Sequence, residues 1–70
     1  MQGEDKQERA QAPLLTAAEV AELLNISLAS VRRLQSDRHI PFFKVGGSVR
    51  FSRADIIAYL EQQRVEAITR

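Results

Sequence analysis

Two groups of cationic and hydrogen-bonding side chains stand out in this 70-residue chain. The first is the run Ser27-Leu28-Ala29-Ser30-Val31-Arg32-Arg33-Leu34-Gln35, and the second is Lys44, Ser48, Arg50 and Arg53. Guanidinium, ammonium, hydroxyl and amide groups in this pattern suit recognition rather than bond breaking. They make charge-assisted hydrogen bonds to phosphates and can bond the edges of bases. The first run reads as a short helix. Ser27 is a good N-cap, because its hydroxyl satisfies an orphan backbone N–H. Val31 and Leu34 give a thin apolar seam, and the remainder is small, polar or basic. A helix anchored along one narrow edge can lay its other faces in the major groove of DNA.

Charge distribution sharpens this reading. The net charge is only +1. Residues 27–53 nevertheless hold Arg32, Arg33, Arg38, Lys44, Arg50 and Arg53 against Asp37 alone, a local +5. Residues 14–26 carry only Glu19 and Glu22, and the two terminal segments are each at −1. A basic centre between acidic flanks is the electrostatic footprint of a small nucleic-acid binder.

Other classes recede. The sequence supplies no convergent nucleophile–base set and no phosphate-cradling glycine loop, so an enzyme is not expected; Gly46-Gly47 fits a hairpin turn. The chain has no cysteine and one histidine, His39. Neither a disulfide framework nor a metal site is therefore expected, and no cofactor is implied. No run of about 18 apolar residues exists to span a membrane. Met1 to Lys6 is too polar for a signal peptide, so a cytoplasmic location is expected.

The elements that must position the two groups can be read in order. Residues 1–13 lack a large apolar residue after Met1 and are expected to form a disordered tail ending near Pro13. Thr16 and Glu19 form a capping box, and Leu15 with Val20 forms a hydrophobic staple. A first helix follows over about Ala17–Leu24, with Val20, Leu23 and Leu24 as its buried face. Asn25 suits a left-handed helix end. Ile26 is expected to turn inward before Ser27 caps the second helix, which ends near Ser36-Asp37. So short a turn makes the two helices cross steeply. Period-two alternation of Phe43, Val45, Val49 and Phe51 with Lys44 and Arg50 gives two strands. A three-residue bulged loop, Gly46-Gly47-Ser48, would pair Val45 with Val49, Phe43 with Phe51 and Lys44 with Arg50. It would separate an apolar face from a basic one. Ser52 and Asp55 announce a third helix from about Arg53. Its apolar positions are Ile56, Ile57, Leu60 and Ile68, with Tyr59 at the core edge and fraying near Ala67. The fold class is mainly α with a small β-hairpin: three helices and one two-stranded wing. The expected domain spans 14–66, with a frayed terminus at 67–70.

Many ordered positions together resemble a known family. Leu14-Leu15-Thr16, Glu19, Ala21-Glu22-Leu23-Leu24, Ile26-Ser27, Ser30-Val31 and Arg33-Leu34 resemble the excisionase-type, MerR-like winged helix-turn-helix domain. So do Ile40-Pro41, Val45-Gly46-Gly47, Arg50-Phe51, Arg53 and Asp55. The resemblance covers about residues 14–62. Asn25 stands where the family often has glycine, and Arg32 where an aromatic is frequent. The resemblance implies a recognition helix in the major groove and a wing beside the backbone or in the minor groove. For excisionases it further implies cooperative binding to repeated sites, DNA bending and assistance to an integrase or recombinase.

Site residues follow from both lines. Ser27, Leu28, Ala29, Ser30 and Arg32 are expected to read bases, Arg32 by a bidentate contact to guanine and Leu28 at a thymine methyl. Leu28 could instead pack against the first helix. Arg33, Gln35, Lys44, Ser48, Arg50 and Arg53 are expected to hold the backbone. Arg50 could alternatively pair with Asp55. About five phosphate contacts would give a salt slope of roughly −4 to −5. A small transcriptional regulator could use the same surface, and a protein-interaction adaptor for an acidic partner is the rival of another class. Self-association on DNA through the wing or the acidic helices is a further expectation.

Overall fold

The computed structural model describes residues 14–68 of the chain. The element order among them is β1 (Leu14–Leu15), α1 (Ala17–Leu24), α2 (Leu28–Ser36), β2 (Phe43–Val45), β3 (Ser48–Ser52) and α3 (Arg53–Gln62). Three helices with a strand hairpin make a winged helix-turn-helix, as the sequence pattern predicts. The disordered tail expected over 1–13 lies outside the described residues.

Each helix begins where its cap dictates. The Thr16 backbone N–H donates to Glu19 Oε1 at 2.8 Å, and the Glu19 N–H donates to Thr16 Oγ1 at 3.1 Å. This reciprocal box starts α1. Asn25 takes a left-handed conformation at φ 57, ψ 48 and ends it. The Asn25 N–H reaches Glu22 O at 3.2 Å and the Ile26 N–H reaches Ala21 O at 3.0 Å. Those two bonds form a Schellman motif that satisfies the last carbonyls of α1. Ser27 Oγ then accepts from the Ser30 N–H at 3.1 Å and starts α2. A second Schellman motif closes α2. Arg38 N–H donates to Gln35 O at 3.0 Å and His39 N–H to Leu34 O at 2.9 Å. Arg38, an arginine at φ 60, occupies the left-handed position there.

The core takes one buried residue from each region that surrounds it: Leu15 on β1, Val20 on α1, Val31 on α2, Ile40 in the connector, Phe51 on β3 and Ile56 on α3. Ala17, Ala21, Leu24, Leu34, Phe42, Val49 and Tyr59 pack around them. On α1 the inward stripe is thus Ala17, Val20, Ala21 and Leu24, the i, i+3, i+4, i+7 pattern. Leu23 lies off that stripe and stays exposed, contrary to the expected buried face. Ile26 is likewise exposed rather than turned inward, because the Schellman turn commits its N–H, not its side chain. On α3, Ile56 and Tyr59 face the core, while Ile57 and Leu60 sit about one helical step away and are exposed. Helix α3 ends at Gln62, five residues before the expected Ala67, and Ile68 stays solvent-facing. The Ile68 side chain has no core left to reach.

The sheet differs from the sequence expectation in two respects. Leu14 and Leu15 pair antiparallel with Ser52 and Phe51, so a third strand joins the wing and the order is β1-β3-β2. The wing itself pairs Val45 with Ser48, Lys44 with Val49 and Phe43 with Arg50. That is a two-residue loop, not the three-residue bulged one. Gly46 and Gly47 have φ of 57° and 86°, both left-handed, as a type I′ turn requires. Such a turn matches the right-handed strand twist without a bulge, and it outweighs the tidier apolar face of the other register. One consequence is that Lys44 and Arg50 no longer oppose each other. Another is that Phe42, not Phe43, turns toward the core.

Candidate nucleic-acid interface

The caps and turns described above orient α2 so that its three stripes separate. Val31 and Leu34 anchor the helix to the core. Leu28, Arg32 and Gln35, spaced i, i+4, i+7, face a groove toward the wing. Ala29 and Arg33 lie on the exposed remainder. The groove encloses about 480 Å³. Its opposite wall is Ser48, Val49 and Arg50 of β3, and its floor begins at Thr16, Ala17 and Ala18, the start of α1.

Five of the residues expected from sequence therefore meet in one place: Leu28, Arg32, Gln35, Ser48 and Arg50. Leu28 keeps substantial exposure at 40% despite its place beside α1, so it is available to an incoming ligand. Arg50 is half-buried, and its Nη1–H donates to the Val49 carbonyl at 2.8 Å. That bond holds the guanidinium against the strand. The backbone N–H of Asp55, the expected alternative partner of Arg50, donates to Ser52 Oγ at 3.4 Å as part of the α3 cap. Arg32 is exposed, with its charge directed to solvent at the groove.

The other candidates stand around this groove rather than in it. Ser27 and Ser30 bond each other through their hydroxyls at 3.0 Å at the exposed start of α2. Ser27 is thus occupied as a cap, which leaves Ser30 the more available of the two. Arg33 is exposed on the neighbouring face of α2. Lys44 is exposed on β2, the strand farther from α1. Arg53 is half-buried at the first position of α3. Among the described residues, Arg32, Arg33 and Lys44 form no ion pair, whereas Arg64 Nε pairs with Glu66 Oε2 at 3.3 Å beyond α3. A cation without a protein partner is fully available to an external anion.

Sequence reasoning missed the contribution of Thr16, Ala17 and Ala18. Their small side chains carry no chemical signal, and only the packing of α1 across α2 brings them to the groove. No helix among the described residues is long and apolar enough to cross a membrane.

Comparison with known proteins fits this geometry. A family model described as a helix-turn-helix domain matches residues 14–64. No curated protein and no solved structure gives a significant match. The matched span holds α1, the Asn25 turn, α2, the wing and α3, and it supports DNA binding through the helix-turn-helix. The chain belongs to the excisionase-like helix-turn-helix domain family.

Proposed function

We propose that the chain binds specific double-stranded DNA sites as an excisionase, a recombination directionality factor. In this reading α2 enters the major groove. Ser27, Leu28, Ala29, Ser30 and Arg32 read base edges there. Arg33, Gln35, Lys44, Ser48, Arg50 and Arg53 hold the phosphate backbone, with the wing on the backbone or in the minor groove. The observation that carries the reading is the groove in which Arg32 on α2 and Arg50 on β3 are presented together. Two elements far apart in sequence put cations on one surface, as a helix-plus-wing footprint requires. Members of such a DNA-binding family are typically not enzymes.

A single module of this size buries only about 600–1,000 Å² on DNA. Useful affinity then comes from repeated sites bound cooperatively, which bends the DNA and assists an integrase. The first test is a mobility shift across salt concentrations. The parent protein binds duplex at low salt, and the folded Arg32→Ala/Arg50→Ala variant loses that binding. Equal binding by the variant refutes DNA recognition by this surface, and no binding by the parent leaves the adaptor reading. The second test adds the protein to an integrase reaction. A shift toward excision supports the directionality role, and DNA binding without any shift assigns the chain to transcriptional regulation.

A further inference from the structure

The two-residue turn has an effect on the wing that the sequence pattern hides. Residues directly opposite each other on paired strands point to the same face. Phe43 opposes Arg50 and Val45 opposes Ser48, so all four share the face turned away from the core. Phe43 is 49% exposed and Val45 is 54% exposed, although both are strand apolar residues. The apolar side chains that alternation would assign to the core are therefore displayed outside, next to a groove-lining arginine and serine.

We propose that Phe43 and Val45 form an apolar pad within the DNA interface, seated against the deoxyribose edges that wall the minor groove. This rests on the DNA-binding reading above and extends it to two residues that carry no charge. Three considerations select this occupant. The face is continuous with the groove, because Arg50 and Ser48 belong to both. Its chemistry is complementary to the sugar–phosphate rail. The rail presents hydrocarbon sugar flanked by phosphate, and on this face the wing presents Phe43 and Val45 beside the Arg50 cation. The area is also wrong for a protein partner. Two half-exposed side chains fall well short of the roughly 1,000 Å² that a specific protein interface buries, and covering them with an apolar partner would strip water from Arg50.

The side chains can be changed without disturbing the fold, since neither belongs to the core cluster. The test uses the full chain and a duplex carrying one site, enriched by the parent protein from a random-sequence pool. Affinity is measured by fluorescence anisotropy over a salt series for the parent, Phe43→Ser/Val45→Thr and Arg50→Ala, with circular dichroism to show that each is folded. The double variant weakens binding on the order of tenfold at every salt concentration, from loss of apolar burial. Its log K against log salt slope equals that of the parent, because no phosphate contact is lost. Arg50→Ala makes the slope shallower by about 1. A folded double variant that binds like the parent overturns the pad while Arg50→Ala still weakens binding. A loss seen only on two-site duplexes also overturns it, since the face would then join protein to protein. Absence of any duplex binding by the parent refutes the underlying DNA reading instead.

Discussion

The wing register can be tested through Gly46 and Gly47, whose φ values of 57° and 86° define the turn. Replacing either by alanine places a Cβ in open space, with nothing within 4 Å. Any destabilisation is therefore conformational rather than steric. A non-glycine residue in the left-handed region costs roughly 1–2 kcal/mol. For a domain of this size that translates into a fall in melting temperature of about 4–16 °C per alanine. Asparagine tolerates the left-handed region, so Gly46→Asn shifts the melt by no more than a few degrees. Thermal unfolding followed by circular dichroism distinguishes the two substitutions. Proton NMR supplies the register itself. Lys44 and Val49 are opposite each other one pair inward from the turn, where the strands approach most closely, so their Hα atoms give a strong mutual contact. The reasoning fails if Gly46→Ala melts with the parent, or if the Hα contact joins Lys44 to Arg50. Either result would restore the bulged loop and return Phe43 and Val45 to the core face.

Three further substitutions probe the elements that hold α2. Arg38→Gly removes a left-handed arginine and raises stability by roughly 0.5–1 kcal/mol, read as a melting point several degrees higher. Ser27→Ala deletes the hydroxyl that accepts from the Ser30 N–H. It costs about 1 kcal/mol by chemical denaturation and weakens DNA binding beyond that loss if α2 frays at its reading end. Phe51→Ala empties the largest fully buried side chain. It destabilises by about 3–5 kcal/mol and leaves little folded protein by circular dichroism at room temperature.

What could be read from sequence was governed by local physics. Thr16, Glu19, Ser27 and Ser52 act through backbone groups within three residues, so the starts of all three helices were legible. Asn25 was legible because few residue types favour its backbone conformation. Val31 and Leu34 were legible as the anchoring seam of α2. Errors arose where non-local packing decides. Leu14 and Leu15 form a strand only because β3 offers an edge, and two residues carry no periodicity. Ile40 is buried from within a connector, where no repeat exposes its role. Arg38 takes a left-handed conformation that its side chain does not advertise. The register is hidden because the Gly46-Gly47 turn geometry overrides face matching, and a one-residue slip reverses the outlook of every side chain on the strand. Leu28, Arg32, Gln35, Ser48 and Arg50 were named from chemistry alone, yet only the crossing of α1 and α2 beside β3 shows that they share one groove.

The core draws a single fully or nearly fully buried residue from each surrounding region, from Leu15 to Ile56. Such a core has no redundancy. Removing any one contributor withdraws the only deep contact of its element, so no subset of elements retains a nucleus of its own. Opening of the wing and opening of α2 therefore draw on the same six side chains, and the surface that would meet a ligand is no more stable than the whole. A ligand bound across α2 and the wing would in turn stabilise the entire chain, with occupancy setting how much of the protein stays folded.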